Sequence, residues 1–466
     1  MKKNNIYDFS SHDEETIIAQ CTPSGPGALA LLRISGINAV AIADTMSQLA
    51  SGKKLLDQPS HTIHYGSVIS ASGEKIDSVL FLLMRAPKTF TGQDTVEITA
   101  HNNTFIISAI IERVLQAGAR LAQEGEFSRR AFLNGKLDLA QAEAINDLIH
   151  ANTQTALKAS LAQLEGSLSQ KIQQLEQIFV KALALCEASF EFVEDESFDF
   201  EKQITDIVLN GMNEIRILKK QFSRQKQVKE GVRIALLGSV NAGKSSLFNC
   251  LLQQDRAIVT SLPGTTRDVL EGARYQHGTH QTIIDTAGLR QTDNSIEQEG
   301  ISRALNEARK ADIILLVFDG LRTMSESEKI VYNDLLSKYQ EKIVLIKSKI
   351  DLANAEYEYF SGHDIISVSS KNKKNISLLE ECIKKKIQKL FYSIASPFLL
   401  NRRHYNMLVM LEEKLKPVIK LLDQDSPYEL LSVHLNDALV VLSELSGKTV
   451  TQTAVDEIFK NFCIGK

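Results

Sequence analysis

Residues 238–246 read Gly-Ser-Val-Asn-Ala-Gly-Lys-Ser-Ser and follow directly on the run Arg233-Ile-Ala-Leu-Leu237. A short buried strand, a glycine-rich turn and a helix beginning near Lys244 make a phosphate-binding loop. Gly238 and Gly243 let the backbone turn its N–H groups inward at a polyphosphate, so that Asn241, Ala242, Gly243 and Ser246 line the cradle. Lys244 supplies a point charge for the outer phosphates, and the Ser245 hydroxyl suits Mg²⁺. The loop sits in mid-chain, with more than two hundred residues on either side. Nucleotide binding is therefore one part of a larger job.

A chain of 466 residues is too long for one core and implies roughly three domains. Its 43% hydrophobic and 24% charged residues are ordinary for a soluble protein, and no apolar run is long enough to cross a bilayer. The beginning, Met1-Lys-Lys-Asn-Asn-Ile-Tyr-Asp, lacks the apolar stretch of a secretory signal. Five cysteines (Cys21, Cys186, Cys250, Cys382, Cys463) stand singly, which points away from a disulfide framework or a zinc site and towards a reducing cytoplasm. The net charge of −4 argues against a self-sufficient nucleic-acid binder. Basic runs at Lys371-Asn-Lys-Lys374, Lys384-Lys-Lys386 and Arg402-Arg-His404 read as solvated faces first and as phosphate contacts second.

Before the loop, β-type runs (Thr16-Ile-Ile-Ala, Ala28–Ile34, Val79–Leu83, Thr95-Val-Glu-Ile) alternate with helical stretches such as Thr104–Gln116, an α+β or α/β unit. From about Glu126 the texture changes. Leu157, Leu161, Leu164, Leu168, Ile172, Leu175 and Phe179 mark one apolar stripe on a long helix. Gln221 to Glu230 reads as a polar linker. Buried-strand patterns at Thr282–Asp285, Ile313–Phe318 and Ile343–Ile346 then alternate with amphipathic helices, predicting a parallel sheet with helices on both faces. Helical periodicity returns after Asn401 (Leu408, Leu411, Leu415, Ile419, Leu422). The expected architecture is an α/β plus all-α chain: residues 1–125 an N-terminal α+β domain, 126–229 and 391–466 one helical domain, and 230–390 a Ras-like parallel-sheet domain inserted into it.

The other parts of a GTPase follow in order. Asp285-Thr-Ala-Gly288 ends a strand pattern, where Asp285 can hold Mg²⁺ through water and the Gly288 N–H can meet the γ-phosphate, with Thr286 and Ala287 between them. Thr266 of Gly264-Thr-Thr-Arg-Asp268 is the candidate switch threonine of the Mg²⁺ shell. For the base, Ser348-Lys-Ile-Asp351 stands in place of Asn-Lys-x-Asp. Asp351 and the stem of Lys349 are present, but Ser348 reaches less far than asparagine and is expected to bridge base and phosphate loop less well, keeping guanine preference at reduced affinity. Backbone N–H groups of Ser367-Val368-Ser369 are expected to meet the guanine oxygen. Leu289 occupies the position at which many GTPases carry a water-orienting Gln. Asn241 and the oxygens of Thr260-Ser261-Leu262-Pro263-Gly264-Thr265 offer a ring suited to a monovalent cation, and either Glu297 or Glu299 can position a water.

With these residues in hand, the chain resembles the bacterial tRNA-modification GTPases of the MnmE (TrmE) family from end to end. The most specific stretches are the final Cys463-Ile-Gly-Lys466, then Gly125-Glu-Phe-Ser-Arg-Arg-Ala-Phe-Leu-Asn-Gly-Lys136, Leu32-Arg-Ile-Ser-Gly36 and Pro87–Glu97. The resemblance implies a folate-binding N-terminal domain, a split helical domain and a Ras-like G domain, in a homodimer built through the N-terminal domains. It implies a cytoplasmic enzyme that, with a flavoprotein of the MnmG type carrying FAD and using NADH, joins a heterotetramer or larger complex. That complex would place a carboxymethylaminomethyl or aminomethyl group on carbon 5 of the wobble uridine of certain tRNAs. The one-carbon unit would come from 5-formyl- or methylene-tetrahydrofolate, with GTP, Mg²⁺ and K⁺ as the other cofactors. By motif, Arg33, Glu97, Lys136 and Lys466 correspond to folate contacts, Asn241, Thr260, Leu262 and Thr265 to K⁺ ligands, and Ser245 and Thr266 to Mg²⁺ ligands. Glu297, three residues before Gly300, corresponds to the water-orienting glutamate, and Cys463 to a candidate reactive thiol. K⁺ would also let two G domains meet across their nucleotides and activate hydrolysis.

Two stretches depart from the family: His101-Asn-Asn103 for His-Gly-Gly, and Ser24-Gly-Pro-Gly27 for Pro-Gly-Arg-Gly. Either is expected to weaken folate binding. The alternative reading is a GTP-dependent switch that binds RNA or ribosomes and performs no modification. The G domain fits both, while the folate-type residues and the final Cys-Ile-Gly-Lys favour the enzyme. A P-loop ATPase is disfavoured by Asp351 and Asp285-Thr-Ala-Gly.

Overall fold

The computed structural model describes residues 15–191, 199–253, 270–286, 305–352, 359–360, 362–392, 396–422, 424 and 427–465. They form two compact units, one of residues 1–146, 163–212 and 410–466 and one of residues 147–162 and 213–409.

In the first unit, the period-two pattern of the early chain builds a seven-stranded sheet in the order β3-β4-β5-β6-β2-β1-β7. The strands are β1 (Ile17–Gln20), β2 (Leu29–Ser35), β3 (Ser47–Leu49), β4 (Thr62–Ile69), β5 (Lys75–Met84), β6 (Thr95–His101) and β7 (Arg120–Leu121). Neighbours are antiparallel except β1 and β7. Ala30, Leu32 and Ile34 on β2 and Val96, Ile98 and Ala100 on β6 share a core with helices α1 (Ala39–Met46) and α2 (Thr104–Gln116). Alternate residues turn to the opposite face, where Arg33 pairs in register with Glu97 and where Ile63, Tyr65 and Leu80 are exposed.

Helix α3 (Glu126–Leu133) follows Gly125, whose φ of 64° is left-handed and whose Cβ, if present, would meet the Phe459 carbonyl. The long helix Ser167–Glu191 packs along Tyr428–Ser446, burying Leu168, Ile172, Leu175 and Phe179 on one and Leu431, Leu435 and Leu442 on the other. The single helix expected from Leu157 to Phe179 is in fact two, Gln154–Leu164 and Ser167–Glu191. Gly166, at φ 101°, ends the first, and Leu157 and Leu161 are exposed rather than part of a continuous buried stripe.

The second unit carries a six-stranded sheet in the order β13-β12-β11-β8-β10-β9. Its strands are β8 (Val232–Gly238), β9 (Leu270–Gln276), β10 (Thr279–Asp285), β11 (Ile313–Asp319), β12 (Ile343–Ser348) and β13 (Ile365–Ser367). All neighbours are parallel except the hairpin of β9 with β10, so the expected parallel sheet gains one antiparallel edge. Helices α4 (Lys244–Gln253) and α6 (Ile376–Tyr392) cover one face with Ile234, Leu236, Leu315 and Val317, and α5 (Glu326–Tyr339) covers the other with Leu237, Leu316 and Phe318. Burial on both faces explains why these strands read as continuous apolar runs.

The polar stretch expected as a linker is helical, as Phe200–Arg224 followed by Lys226–Glu230. Buried Gln225 between them donates to the Phe398 carbonyl at 3.0 Å and accepts from the Leu400 N–H at 2.7 Å. Of the basic run 402–404, His404 is buried rather than part of a solvated face.

A buried ion pair ties β9 to the helices beside it. Arg274, fully buried, makes a two-pronged contact with Glu380 of α6 at 2.6 and 2.9 Å, and donates to the Leu251 carbonyl in α4 at 2.8 Å and to Gln281 at 2.9 Å. Removing one partner strands the other charge in the core. Glu380→Ala should therefore destabilise the chain by about 3–5 kcal/mol in urea-induced unfolding, whereas an unchanged midpoint would show that the pair does not anchor the sheet.

Candidate functional site

The phosphate loop leaves β8 at the carboxyl edge of the sheet. A Cβ on Gly238 would collide with the Val317 carbonyl of β11, so only glycine passes there. Asn241 takes φ 62°, the left-handed conformation that asparagine tolerates. Lys244, at the start of α4, turns back over the loop and donates to the Gly238 and Ser239 carbonyls at 3.0 and 2.9 Å. Burial pulls its ammonium below the usual lysine range, while the Asp285 charge acts in the opposite direction.

Asp285, the last residue of β10, lies beside the Ser245 hydroxyl, which donates to Oδ2 at 2.5 Å. Its other oxygen, Oδ1, is buried and has no hydrogen-bond partner among the described residues. A hydroxyl and an unspent carboxylate oxygen next to a phosphate loop are the hard oxygen donors that Mg²⁺ prefers, so these residues fit the ion. Thr286 is turned away: its hydroxyl donates to the Leu236 carbonyl at 2.7 Å and serves as a strand staple rather than a nucleotide contact.

The base-reading side assembles at the ends of β11, β12 and β13. Lys349, at φ 62°, forms an ion pair with Asp319 at 2.8 Å. Asp351 accepts from the Ser369 side chain, and this hydrogen bond holds its carboxyl below the usual carboxylate range, ionised for a guanine edge. Ser348 makes the loop side of the bridge. Its hydroxyl lies 2.6 Å from the Ala242 carbonyl in the phosphate loop and 3.0 Å from the Phe318 carbonyl, so serine does reach the loop from here. Gly243 packs beside Ser348, where even a Cβ would be at an ordinary contact distance of 3.5 Å; glycine is favoured there by its φ of 92°. The expected N–H donors of Val368 and Ser369 are committed elsewhere, to the carbonyls of Lys347 at 2.8 Å and Lys374 at 3.2 Å, and the Ser367 carbonyl accepts from Asn375 at 2.8 Å. The next backbone N–H groups, those of Ser370 and Lys371, have no partner among the described residues, so the candidate donors move there. Ser246 lies in the first turn of α4. Thr260, Ser261, Leu262, Pro263, Gly264, Thr265, Thr266, Ala287, Gly288, Leu289 and Glu297 lie outside the described residues.

The first unit brings a second set of residues together. Arg33 donates through Nε to Glu97 at 2.8 Å, and its guanidinium lies 5.5 Å from the ring centres of both Phe90 and Phe127. That arrangement spends one edge of each partner and leaves the terminal nitrogens of Arg33 without a partner among the described residues. The loop carrying Phe90 is held by α3 and the residues after it. Arg130 donates to the Gln93 side chain at 2.9 Å, Asn134 to the Thr91 carbonyl at 2.7 Å and Lys136 to the Pro87 carbonyl at 2.8 Å. The chain's last described residues arrive at the same sheet: Cys21 Sγ donates to the Gly465 carbonyl at 3.2 Å and the Gly125 N–H to the Cys463 carbonyl at 3.4 Å. Cys463 is exposed there, and Lys466 lies outside the described residues. The two departures from the family pattern meet each other, since the Asn102 side chain donates to the Gly25 carbonyl at 2.7 Å and Asn103 caps α2.

Sequence reasoning missed Asp319, Tyr332 and Arg322 beside the nucleotide loop and Phe90 and Phe127 beside Arg33. Asp319, Tyr332 and Arg322 are remote in sequence from the residues they contact, and Phe90 and Phe127, though inside the stretches 87–97 and 125–136, carry no sign in the sequence of their approach to Arg33.

A glycine-turned loop at a sheet's carboxyl edge, with Lys244, Ser245 and Asp285 on the phosphate side and Lys349 and Asp351 on the base side, defines a P-loop GTPase. A family model described as the MnmE helical domain matches residues 139–463, and one described as the GTP-binding protein TrmE N-terminus matches residues 16–136. The tRNA modification GTPase MnmE of Geobacillus kaustophilus is 36% identical over 468 residues, covering 97% of this chain and 99% of that protein. That of Streptococcus mutans is 36% identical over 466 residues, covering 98% and 100%. The chain belongs to this family of tRNA modification GTPases. Among solved structures, the G domain of T. maritima FeoB is 29% identical over 34% of this chain and 99% of that one, with a TM-score of 0.28. Era of Aquifex aeolicus is 19% identical over 39% and 66%, also with a TM-score of 0.28.

A lost buried hydrogen bond is worth about 0.5–1.5 kcal/mol. Ser348→Ala should thus weaken GDP binding by about threefold to tenfold in a calorimetric titration, and an unchanged affinity would show that the link to Ala242 carries nothing.

Proposed function

We propose that this GTPase modifies carbon 5 of the wobble uridine of certain tRNAs, working as a homodimer with an MnmG-type flavoprotein in a heterotetramer or larger complex. The supporting observation is the meeting, in the first unit, of the Arg33–Glu97 pair, the loop under Lys136 and the C-terminal segment bearing Cys463. A switch without chemistry has no need of such a cluster. Arg33 would offer its unspent nitrogens to the carboxylates of a tetrahydrofolate, and Glu97 would accept from pterin N–H groups, with Lys136 and Lys466 alongside. The folate supplies the one-carbon unit, and FAD and NADH on the partner protein supply the redox equivalents. Ile63, Tyr65 and Leu80, exposed on the same sheet face as Arg33, suit a surface buried between two copies of the chain.

On the nucleotide side, Ser245, Thr266 and Asp285 would hold Mg²⁺. Asn241, Thr260, Leu262 and Thr265 would surround K⁺, so that two G domains meet across their nucleotides, and Glu297 would orient the attacking water where Leu289 cannot. A cytoplasmic location agrees with such a role, and among the described residues no helix is long and apolar enough to cross a membrane.

Two measurements test these readings. GTP hydrolysis should run several-fold faster in KCl than in NaCl and be largely lost in Glu297→Ala with GTP binding retained. Equal rates in the two salts would remove the cation-bridged mechanism. Wobble nucleosides of tRNA from cells lacking the protein should lose the modified uridine, and unchanged nucleosides would sink the enzyme reading in favour of the switch.

A further inference from the structure

We propose that Tyr332 and Arg322 are positioning residues of the phosphate loop, holding the Ser239 peptide in its receiving shape before nucleotide binds. The proposal rests on the reading of residues 238–246 as the phosphate loop of a GTPase. All three polar groups of Ser239 are engaged. Its N–H donates to the Tyr332 hydroxyl at 2.9 Å, its hydroxyl lies 3.2 Å from the Arg322 guanidinium, and its carbonyl accepts from Lys244 at 2.9 Å.

Each holder is itself fixed. Tyr332, fully buried on α5, stacks on Phe360 with ring centres 6.0 Å apart and donates its hydroxyl hydrogen bond to the Val317 carbonyl at 2.7 Å. Burial pushes its hydroxyl up to about 12, so it keeps that proton and can accept and donate together. Arg322 grips Glu328 with two nitrogens at 2.9 and 2.5 Å. That contact holds the Glu328 carboxyl down at about 2, and Glu328 also closes the capping box with Ser325 at the start of α5. The first turn of α5, the rim of β11 and the entry to the phosphate loop are thereby one hydrogen-bonded block.

The consequence is directional. A phosphate loop works by converging N–H groups on an anion. The N–H of Ser239 points instead into the domain, where among the described residues the Tyr332 hydroxyl alone receives it. With that acceptor removed, the Gly238–Ser239 peptide is free to rotate, and nucleotide must then order the loop at the expense of affinity. A loop already shaped makes binding tight, whereas chemistry on the bound phosphates is unaffected once the loop is filled.

The test uses the full chain and mant-labelled GTP and GDP. Tyr332→Phe keeps the ring and removes the hydroxyl. It should raise the KM for GTP and the GDP dissociation rate by about tenfold, the factor corresponding to one hydrogen bond, with kcat within about twofold. Ser239→Ala and Arg322→Ala should each weaken GDP binding by about threefold, and the double variant no more than the worse single one. A parental KM in Tyr332→Phe, a loss confined to kcat, or additive effects in the Ser239–Arg322 cycle would each overturn the proposal. Where Tyr332→Phe does not fold, the cycle decides alone. A parent chain that binds no GTP would overturn the GTPase reading, and this proposal with it, an outcome distinct from a parent that binds normally beside indifferent variants.

Discussion

The close approach of the Gly238 backbone to the Val317 carbonyl is the constraint on which the nucleotide side of this protein depends. Strand β8 has β10 on one side and β11 on the other, the point at which strand order reverses and a crevice opens at the carboxyl edge. The chain must leave β8 steeply to enter that crevice, and a glycine without Cβ is what lets it do so against β11. From there the same edge delivers Asp285 from β10, Asp319 from β11 and Ser348 from β12 around one loop. The residues that read phosphate and base are thus ordered by sheet topology before any side-chain contact is considered.

Much of this was legible in the sequence because it is local. The phosphate loop, the strands at 282–285, 313–318 and 343–346 and the helix at 104–116 each carry their own periodicity, and the structure places them as read. Legibility fails where geometry depends on partners far along the chain. Gly166 sits inside an unbroken apolar period, and its left-handed φ is what splits the helix. Polar residues 221–230 look like a linker, yet Gln225 is buried because Phe398 and Leu400 satisfy it. Tyr332 is one more aromatic residue on an amphipathic helix until folding brings it 2.9 Å from Ser239.

Ser348 shows how the reach of a shortened motif side chain depends on the geometry around it. Judged by side-chain length, serine falls short of asparagine. Length matters only against the distance to be spanned, and β12 ends close enough that the hydroxyl lies 2.6 Å from the Ala242 carbonyl. The altered stretches 24–27 and 101–103 also lie together, Asn102 donating to the backbone carbonyl of Gly25, a position the two patterns share.

The C-terminal segment follows from a similar geometric argument. Gly465 lies against Gln20 and Cys21 at the end of β1, and β1 is the register neighbour of the strand that carries Arg33. Gly125 must be glycine because the Phe459 carbonyl occupies the space a side chain would take, so the turn into α3 and the final helix Gln452–Phe459 constrain each other. The α3 motif in turn fixes the loop that brings Phe90 against Arg33 through Arg130, Asn134 and Lys136. A chain of specific contacts therefore runs from the last residues to the Arg33–Glu97 pair without entering the nucleotide domain. Residues that are far apart in sequence and individually unremarkable converge on one sheet face, while the phosphate loop is built wholly within the other unit. The two clusters are thus assembled independently, each from contacts within its own unit.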